Sequence, residues 1–200
     1  HYQMSEPEEQ AYQKLKQAVK ETYGSAVALE IAASELHAQD DCDSKKLEHD
    51  LWMCNAESIH LANKLLNRIS HSKKMPDENS VMLQFIKKSC EIFSIRLLHA
   101  DFETELALMR FLLKAAKMNL LTSENIDFIN LKLNQLLEET VITKEDDEKT
   151  AIHKTLSREA ACALALEFYP KNACADVVLK WKDVSENVDE FLEIRQIATY

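Results

Sequence analysis

The stretch FETELALMRFLLKAAKM, residues 102–118, carries apolar side chains around most of its circumference when it is drawn as an α-helix. A helix at a protein surface shows one apolar stripe, whereas a helix that is apolar on most sides is buried among several neighbours. The stretch therefore predicts a domain of several packed helices. Ala, Leu, Glu and Lys, which favour helices, are abundant along the rest of the chain as well.

The chain has 200 residues, of which only one is glycine and three are proline. Hairpins and phosphate-binding loops use glycine at left-handed backbone positions. Gly24 is the only glycine of the chain, so a fold rich in such turns is not expected. We therefore expect an all-α fold of about eight or nine antiparallel helices, arranged as an irregular helical solenoid or bundle. Residues 1–200 are expected to form a single helical domain, with a subdivision near residues 71–79 as the alternative.

Helix caps and breakers divide the chain into separate helices. The polar run HSKKMPDENS, residues 71–80, predicts a linker, and a break between two helices is expected near Asp101. Thr122 or Ser123 is expected to cap the next helix, because a hydroxyl accepts bonds from the first free N–H groups of a helix. The other predicted elements are helices over 5–24, 25–39, 44–70, 151–170, 173–185 and 186–200, and a charged connection or Thr143-capped helix start over 139–149.

The chain carries a formal net charge of −10 at pH 7, which restricts its partners. A protein that binds duplex nucleic acid or an anionic membrane needs a basic surface. No apolar run approaches the roughly 20 residues of a membrane span. We therefore expect no nucleic acid and no membrane as partners. Arg110, Lys114 and Lys117 share one helix face and are interpreted as a solvated edge, with a local basic patch as the alternative.

Two acidic runs, Glu138-Glu139 and residues 145–148, consist of adjacent carboxylates. Adjacent side chains spread around a helix or loop and do not converge as a pair of catalytic acids does. We interpret both runs as solvated charge, with an acidic patch for a basic partner segment as the alternative.

The cysteines indicate a compartment. There are five, an odd number, and none forms a C-x-x-C pair. This pattern suits free thiols in a reducing environment better than a disulfide framework. The sequence therefore predicts an intracellular protein, cytoplasmic or nuclear, in which Cys54, Cys90 and Cys162 are small core residues.

The single glycine also restricts the chemistry. The phosphate-binding motif G-x-x-x-x-G-K, the dinucleotide motif G-x-G-x-x-G and the nucleophile elbow G-x-S-x-G each need at least two glycines. Gly24 is the only one. We therefore predict a protein that is not an enzyme, with no catalytic residues and no cofactor.

One short motif favours the opposite interpretation. Glu57 and His60 form E-x-x-H, the local unit of di-iron carboxylate bundles, but the chain has no second E-x-x-H. His49, His60 and His71 lie in one helical row at intervals of roughly 16 Å, too far apart to share an ion. No metal site is predicted, and the alternative function is a metal-binding helical-bundle enzyme that uses Glu57 and His60.

The segment EAACALALEFYPKNACADVVLKW, residues 159–181, resembles the junction between two tetratricopeptide-type repeats over about thirty residues. Ala165, Leu166 and Pro170 match the end of one helix in that family, and residues 171–173 resemble the linker. Arg158, Lys180 and Asp183 depart from the family pattern, which places small or aromatic residues there. The resemblance implies helical hairpins stacked side by side, and it implies no ligand-binding residue.

The sequence predicts a non-enzymatic protein–protein interaction module or scaffold that presents a groove or face to a partner. The residues expected to contact the partner lie in the last predicted hairpin: Trp181 and Phe191 as apolar anchors, and Glu186, Glu190 and Glu193 as an acidic row. The expected partner is another protein with a basic or amphipathic helical segment. Self-association through the terminal helix is a further expectation.

Overall fold

The computed structural model describes residues 5–7, 9–10, 54, 56–72, 74–75, 81–170 and 175–187. Their regular structure is entirely helical, which confirms the all-α prediction for these ranges. The predicted helix over 25–39 lies outside them. So do most of the predicted helices over 5–24 and 186–200 and the first part of the one over 44–70. The described helices are α1 (Ala56–His71), α2 (Val81–Arg96), α3 (Phe102–Lys117), α4 (Ser123–Glu139), α5 (Glu148–Phe168) and α6 (Asp176–Glu186), with a 3₁₀ turn at Leu97–His99.

The chain divides into two compact units, His1–His99 and Ala100–Tyr200. The division falls beside Asp101, where the sequence predicts a helix break. In the first unit α1 packs against α2. The face of α1 that enters this core repeats every three or four residues, as an amphipathic helix requires, through Ile59, Ala62, Leu66 and Ile69.

In the second unit α5 is the central helix, because it packs against α3, α4 and α6. The ring of Phe102 in α3 stacks on His153 in α5 with 3.9 Å between ring centroids. Farther along both helices, Ser157 donates a hydrogen bond to Glu105, which lies 52 residues earlier in the sequence. Because both contacts advance in the same direction, α3 and α5 run parallel.

Side-chain caps set where the helices of the second unit begin. Asp101 caps α3 by accepting a hydrogen bond from the Thr104 N–H at 2.8 Å. The cap at Thr122 is confirmed, since Thr122 and Asn125 exchange side-chain to backbone bonds at the start of α4. The two positions predicted for these breaks are therefore correct.

The acidic segment between α4 and α5 is a connection, so a helix start capped by Thr143 is wrong. The cap of α5 is Asp147, whose side chain accepts a bond from the Thr150 N–H at 2.7 Å. Thr143 instead donates its N–H to Asp146 in a turn. Lys154 holds this turn against α5 through an ion pair with Asp146 at 2.9 Å.

The end of α3 uses asparagine where a glycine is usual. Asn119 has φ of 58°, in the left-handed region. The N–H of Asn119 donates to Ala116 O and that of Leu120 donates to Ala115 O, both at 3.0 Å. This pair of bonds is the Schellman arrangement, which satisfies carbonyls that would otherwise be free.

Replacing Asp101 by alanine is expected to lower the free energy of unfolding by about 1 kcal/mol, because the Thr104 N–H loses its acceptor. The same bond holds the pKa of the Asp101 carboxyl below its usual range. The stabilisation is therefore complete above the pKa of an unfolded aspartate, about 3.9, and is lost as the pH falls through the lower folded-state pKa.

Urea unfolding at neutral and at acidic pH measures both effects. Asp127→Ala removes an exposed carboxylate inside α4 and is the matched control, for which little change is expected. Equal losses in the two variants, or a loss at Asp101 that persists in acid, would contradict the capping role.

Candidate functional site

Trp181 joins three helices of the second unit. Its side chain is fully buried, and its Nε1–H donates a hydrogen bond to Leu133 O of α4 at 2.9 Å. The guanidinium of Arg158 in α5 lies over its ring, 5.3 Å from the centroid. This burial corrects the expectation that Trp181 contacts a partner, since a core side chain offers no surface to bind.

Arg158 closes the carboxyl-terminal end of α4. One guanidinium nitrogen donates to Leu137 O at 3.1 Å and to the hydroxyl of Thr140, the C-cap residue, at 3.0 Å. The last carbonyls of a helix lack partners within it, and a positive charge is favoured beside them. The position at which Arg158 departs from the tetratricopeptide pattern is thus occupied by a cap for the neighbouring helix.

A second buried polar contact fastens α3 to α4. Lys132 Nζ lies 2.6 Å from Glu105 Oε1, and the two side chains are 6% and 9% exposed. Ser157 donates a further bond to the other carboxylate oxygen of Glu105 at 3.2 Å. Together with the Trp181 contacts, this network fixes the positions of α3, α4, α5 and α6 relative to one another.

On the outer side of this network, α4 and α6 enclose a groove with a volume of about 590 Å³. We call it the acidic groove. Its charged lining consists of Glu138, Glu139 and Asp183 against the single Lys180, and all four side chains are exposed. Leu137 and Val184, both half-buried, provide its apolar part, and each charged side chain is accessible to a partner from solvent.

Gln135 adds an unsatisfied group to the acidic groove. Its Oε1 is buried and has no hydrogen-bond partner within the described part of the chain. A buried acceptor without a donor is unfavourable. The neighbouring carboxylates of Glu138, Glu139 and Asp183 are acceptors that are open to solvent. The groove therefore suits a ligand that carries several N–H donors and positive charge.

The site residues predicted from sequence are only partly described. Glu186 is exposed at the end of α6 and lies 3.7 Å from Lys182 across one helical turn. Glu190, Phe191 and Glu193 lie outside the described residues. Of the groove's acids, Glu138 and Glu139 belong to a run that the sequence identifies as an alternative acidic patch, whereas Asp183 carries no such signal. The sequence does not indicate that these acids meet.

The metal alternative rests on Glu57 and His60. His60 is exposed, and the side chain of Glu57 lies outside what the structure describes. Across the described ranges, no group of three or more His, Cys, Asp or Glu side chains is placed to hold a metal ion.

The cysteines predicted to be core residues are buried at Cys54, Cys90 and Cys162. Burial raises the pKa of the Cys54 thiol to about 11 despite the opposing effect of Arg96, and it raises that of Cys90 to about 12. Both groups therefore stay protonated at neutral pH, whereas nucleophilic attack requires a thiolate.

Scans of the chain against models of protein families, against curated proteins and against solved structures return no match. Among the helices of the described residues, none combines the length and the apolar character needed to cross a membrane.

Proposed function

We propose that this chain is a non-enzymatic helical interaction module whose acidic groove binds a basic segment of another protein. The observation that carries the proposal is the convergence of Glu138, Glu139 and Asp183, from two different helices, on one groove with an apolar part. Carboxylates on separate helices are brought together only by the fold, so a single charge run does not account for the arrangement.

The chemistry of the groove favours a polypeptide over a small molecule. Pockets for small ligands are mostly apolar with a few polar groups, whereas charged and amide side chains form most of this lining. Lysine and arginine have apolar stems and charged heads. Their stems would pack on Leu137 and Val184 while their heads meet the carboxylates.

The packing of the second unit supports a scaffold with outer grooves. Helices α5 and α6 follow each other in the chain and pack together, and α3 packs parallel to α5, an arrangement that stacks of helical hairpins also contain. Such stacks bury their inner faces and leave extended surfaces on which partner segments bind. The buried contacts of Arg158 and Trp181 hold the two walls of the acidic groove in place before a ligand arrives, which lowers the entropic cost of binding.

A fluorescently labelled amphipathic helical peptide, with lysines and arginines on one face and leucines on the other, is a direct probe. Reversal of Glu138 and Asp183 to lysine is expected to weaken its binding by at least about tenfold, because two attractive charges become repulsive. Fluorescence anisotropy at two ionic strengths measures the affinity and its screening by salt.

The matched control is reversal of Glu103 and Glu145 to lysine, which makes the same change in net charge outside the groove. We expect this control to retain most of the wild-type affinity. Equal weakening in both variants would show that the peptide follows net charge alone, and it would overturn the proposal. Absence of binding to the wild-type chain at low salt would overturn it as well.

A further inference from the structure

A second groove lies between the parallel helices α3 and α5, and we call it the apolar groove. Its volume is about 280 Å³. Its apolar walls are Leu106, Met109 and Leu113 from α3 and Leu156, Ala160 and Ala163 from α5. Leu166, one turn beyond Ala163 on α5, is 39% exposed and extends the apolar surface. An apolar surface that continues along two adjacent helices is typical of a binding face.

Each wall of the apolar groove carries one exposed charge. Arg110 projects from α3 and Glu159 from α5. Although both line the same groove, neither takes part in an ion pair within the ranges that the structure describes. The groove thus presents one free positive charge on one side and one free negative charge on the other.

The parallel direction of α3 and α5 makes this arrangement complementary to itself. Consider a two-fold axis that runs parallel to the two helices over the mouth of the groove. Rotation about it places α3 of a second copy over α5 of the first, and the two helices point in the same direction. Arg110 of each copy then faces Glu159 of the other, and the apolar walls cover each other. A two-fold interface repeats every contact, so both charge pairs form at once.

We propose that the apolar groove is the interface of a homodimer, in which a second copy of this chain is the occupant. The charge pattern favours a second copy over an unrelated helix, because the groove itself supplies both members of the charge pair. This interface is separate from the acidic groove, which is formed by α4 and α6. The two grooves share no lining residue, so neither proposal depends on the other.

Sedimentation velocity of the full chain over a concentration series tests the dimer. Arg110→Glu and Glu159→Arg are each expected to raise the dimer dissociation constant at least about tenfold, because each places like charges opposite one another twice. Lys144→Glu and Glu124→Arg make the same charge changes at exposed positions outside the apolar groove, and they should leave dimerisation nearly unchanged. Far-UV circular dichroism verifies that every variant is folded.

An equimolar mixture of the Arg110→Glu and Glu159→Arg chains gives the sharpest result. In a two-fold interface each introduced charge faces an opposite charge in the other chain, so the mixture should form a heterodimer with close to wild-type affinity. Failure of the mixture to associate would overturn the proposal. A wild-type chain that stays monomeric up to about 100 μM would overturn it too. If the variants changed the free energy of unfolding without changing association, the groove would be covered within its own chain, and the proposal would also be wrong.

Discussion

Lys132→Met is expected to lower the free energy of unfolding of the second unit by about 3–5 kcal/mol. The substitution leaves the Glu105 carboxylate buried, with the Ser157 hydroxyl as its one remaining hydrogen-bond partner among the described residues. A charge that is removed from water without its counter-charge is far more costly than a neutral group in the same place. Urea unfolding gives the global effect, and amide hydrogen exchange over residues 100–170 shows whether the loss falls in α3, α4 and α5.

Replacing both residues of the ion pair distinguishes the cost of losing the pair from the cost of leaving one charge buried without its partner. The double variant Lys132→Met with Glu105→Leu is expected to recover most of the stability, because neither charge is then buried. Lys88→Met breaks a half-exposed ion pair with Glu91, at 3.1 Å, and should cost less than about 1 kcal/mol. If the double variant were as unstable as the single one, the cost would come from packing, and the ion pair would not be its cause.

Trp181→Ala is expected to lower the free energy of unfolding by about 3–5 kcal/mol, because the substitution leaves a cavity. The indole is fully buried, its N–H satisfies Leu133 O, and its ring lies against the guanidinium of Arg158. Because these contacts attach α6 to α4 and α5, hydrogen exchange should rise most over residues 175–187. The acidic groove loses the fixed position of one wall, so binding of the basic peptide should weaken as well.

Trp181→Phe distinguishes packing from hydrogen bonding. It keeps much of the apolar volume but removes the donor to Leu133 O and one ring of the indole, for an expected cost of about 1–3 kcal/mol. Leu179→Ala, on the same helix but 39% exposed, is the matched control and should change stability little. A loss at Leu179 as large as that at Trp181 would contradict the attachment role assigned to the indole.

The helix boundaries that were predictable are those set by residues close in sequence. Asp101 and Thr122 act within three residues of themselves, so the pattern alone places the caps of α3 and α4. The sequence left open whether the segment before α5 is a connection or a helix start capped by Thr143, and the structure shows the connection. Thr143 and Asp147 are both good caps in one acidic run. The choice between them involves Lys154, which reaches back eight residues to hold Asp146 in the turn.

The candidate site was predictable only in pieces, for the same physical reason. Glu138 and Glu139 are visible as an acidic run, but their proximity to Asp183 arises from a bond between Trp181 and Leu133 that spans 48 residues. Tryptophan occurs both as an anchor in binding interfaces and as a core residue, so its presence at position 181 does not distinguish the two roles. Its burial depends on Arg158 and Leu133, and no local pattern reveals either contact.

The parallel pairing of α3 and α5 has a consequence for the synthesis of the chain. The bond between Glu105 and Ser157 spans 52 residues, and a ribosome that adds about 5–20 residues per second needs roughly 3–10 seconds to make them. The same delay separates the emergence of the two segments from the ribosome, so α3 is first exposed without the helix that covers one of its apolar sides. The nascent chain therefore passes through a stage that is more prone to aggregation than the finished protein, and a chaperone that recognises apolar helices would act between the emergence of α3 and that of α5.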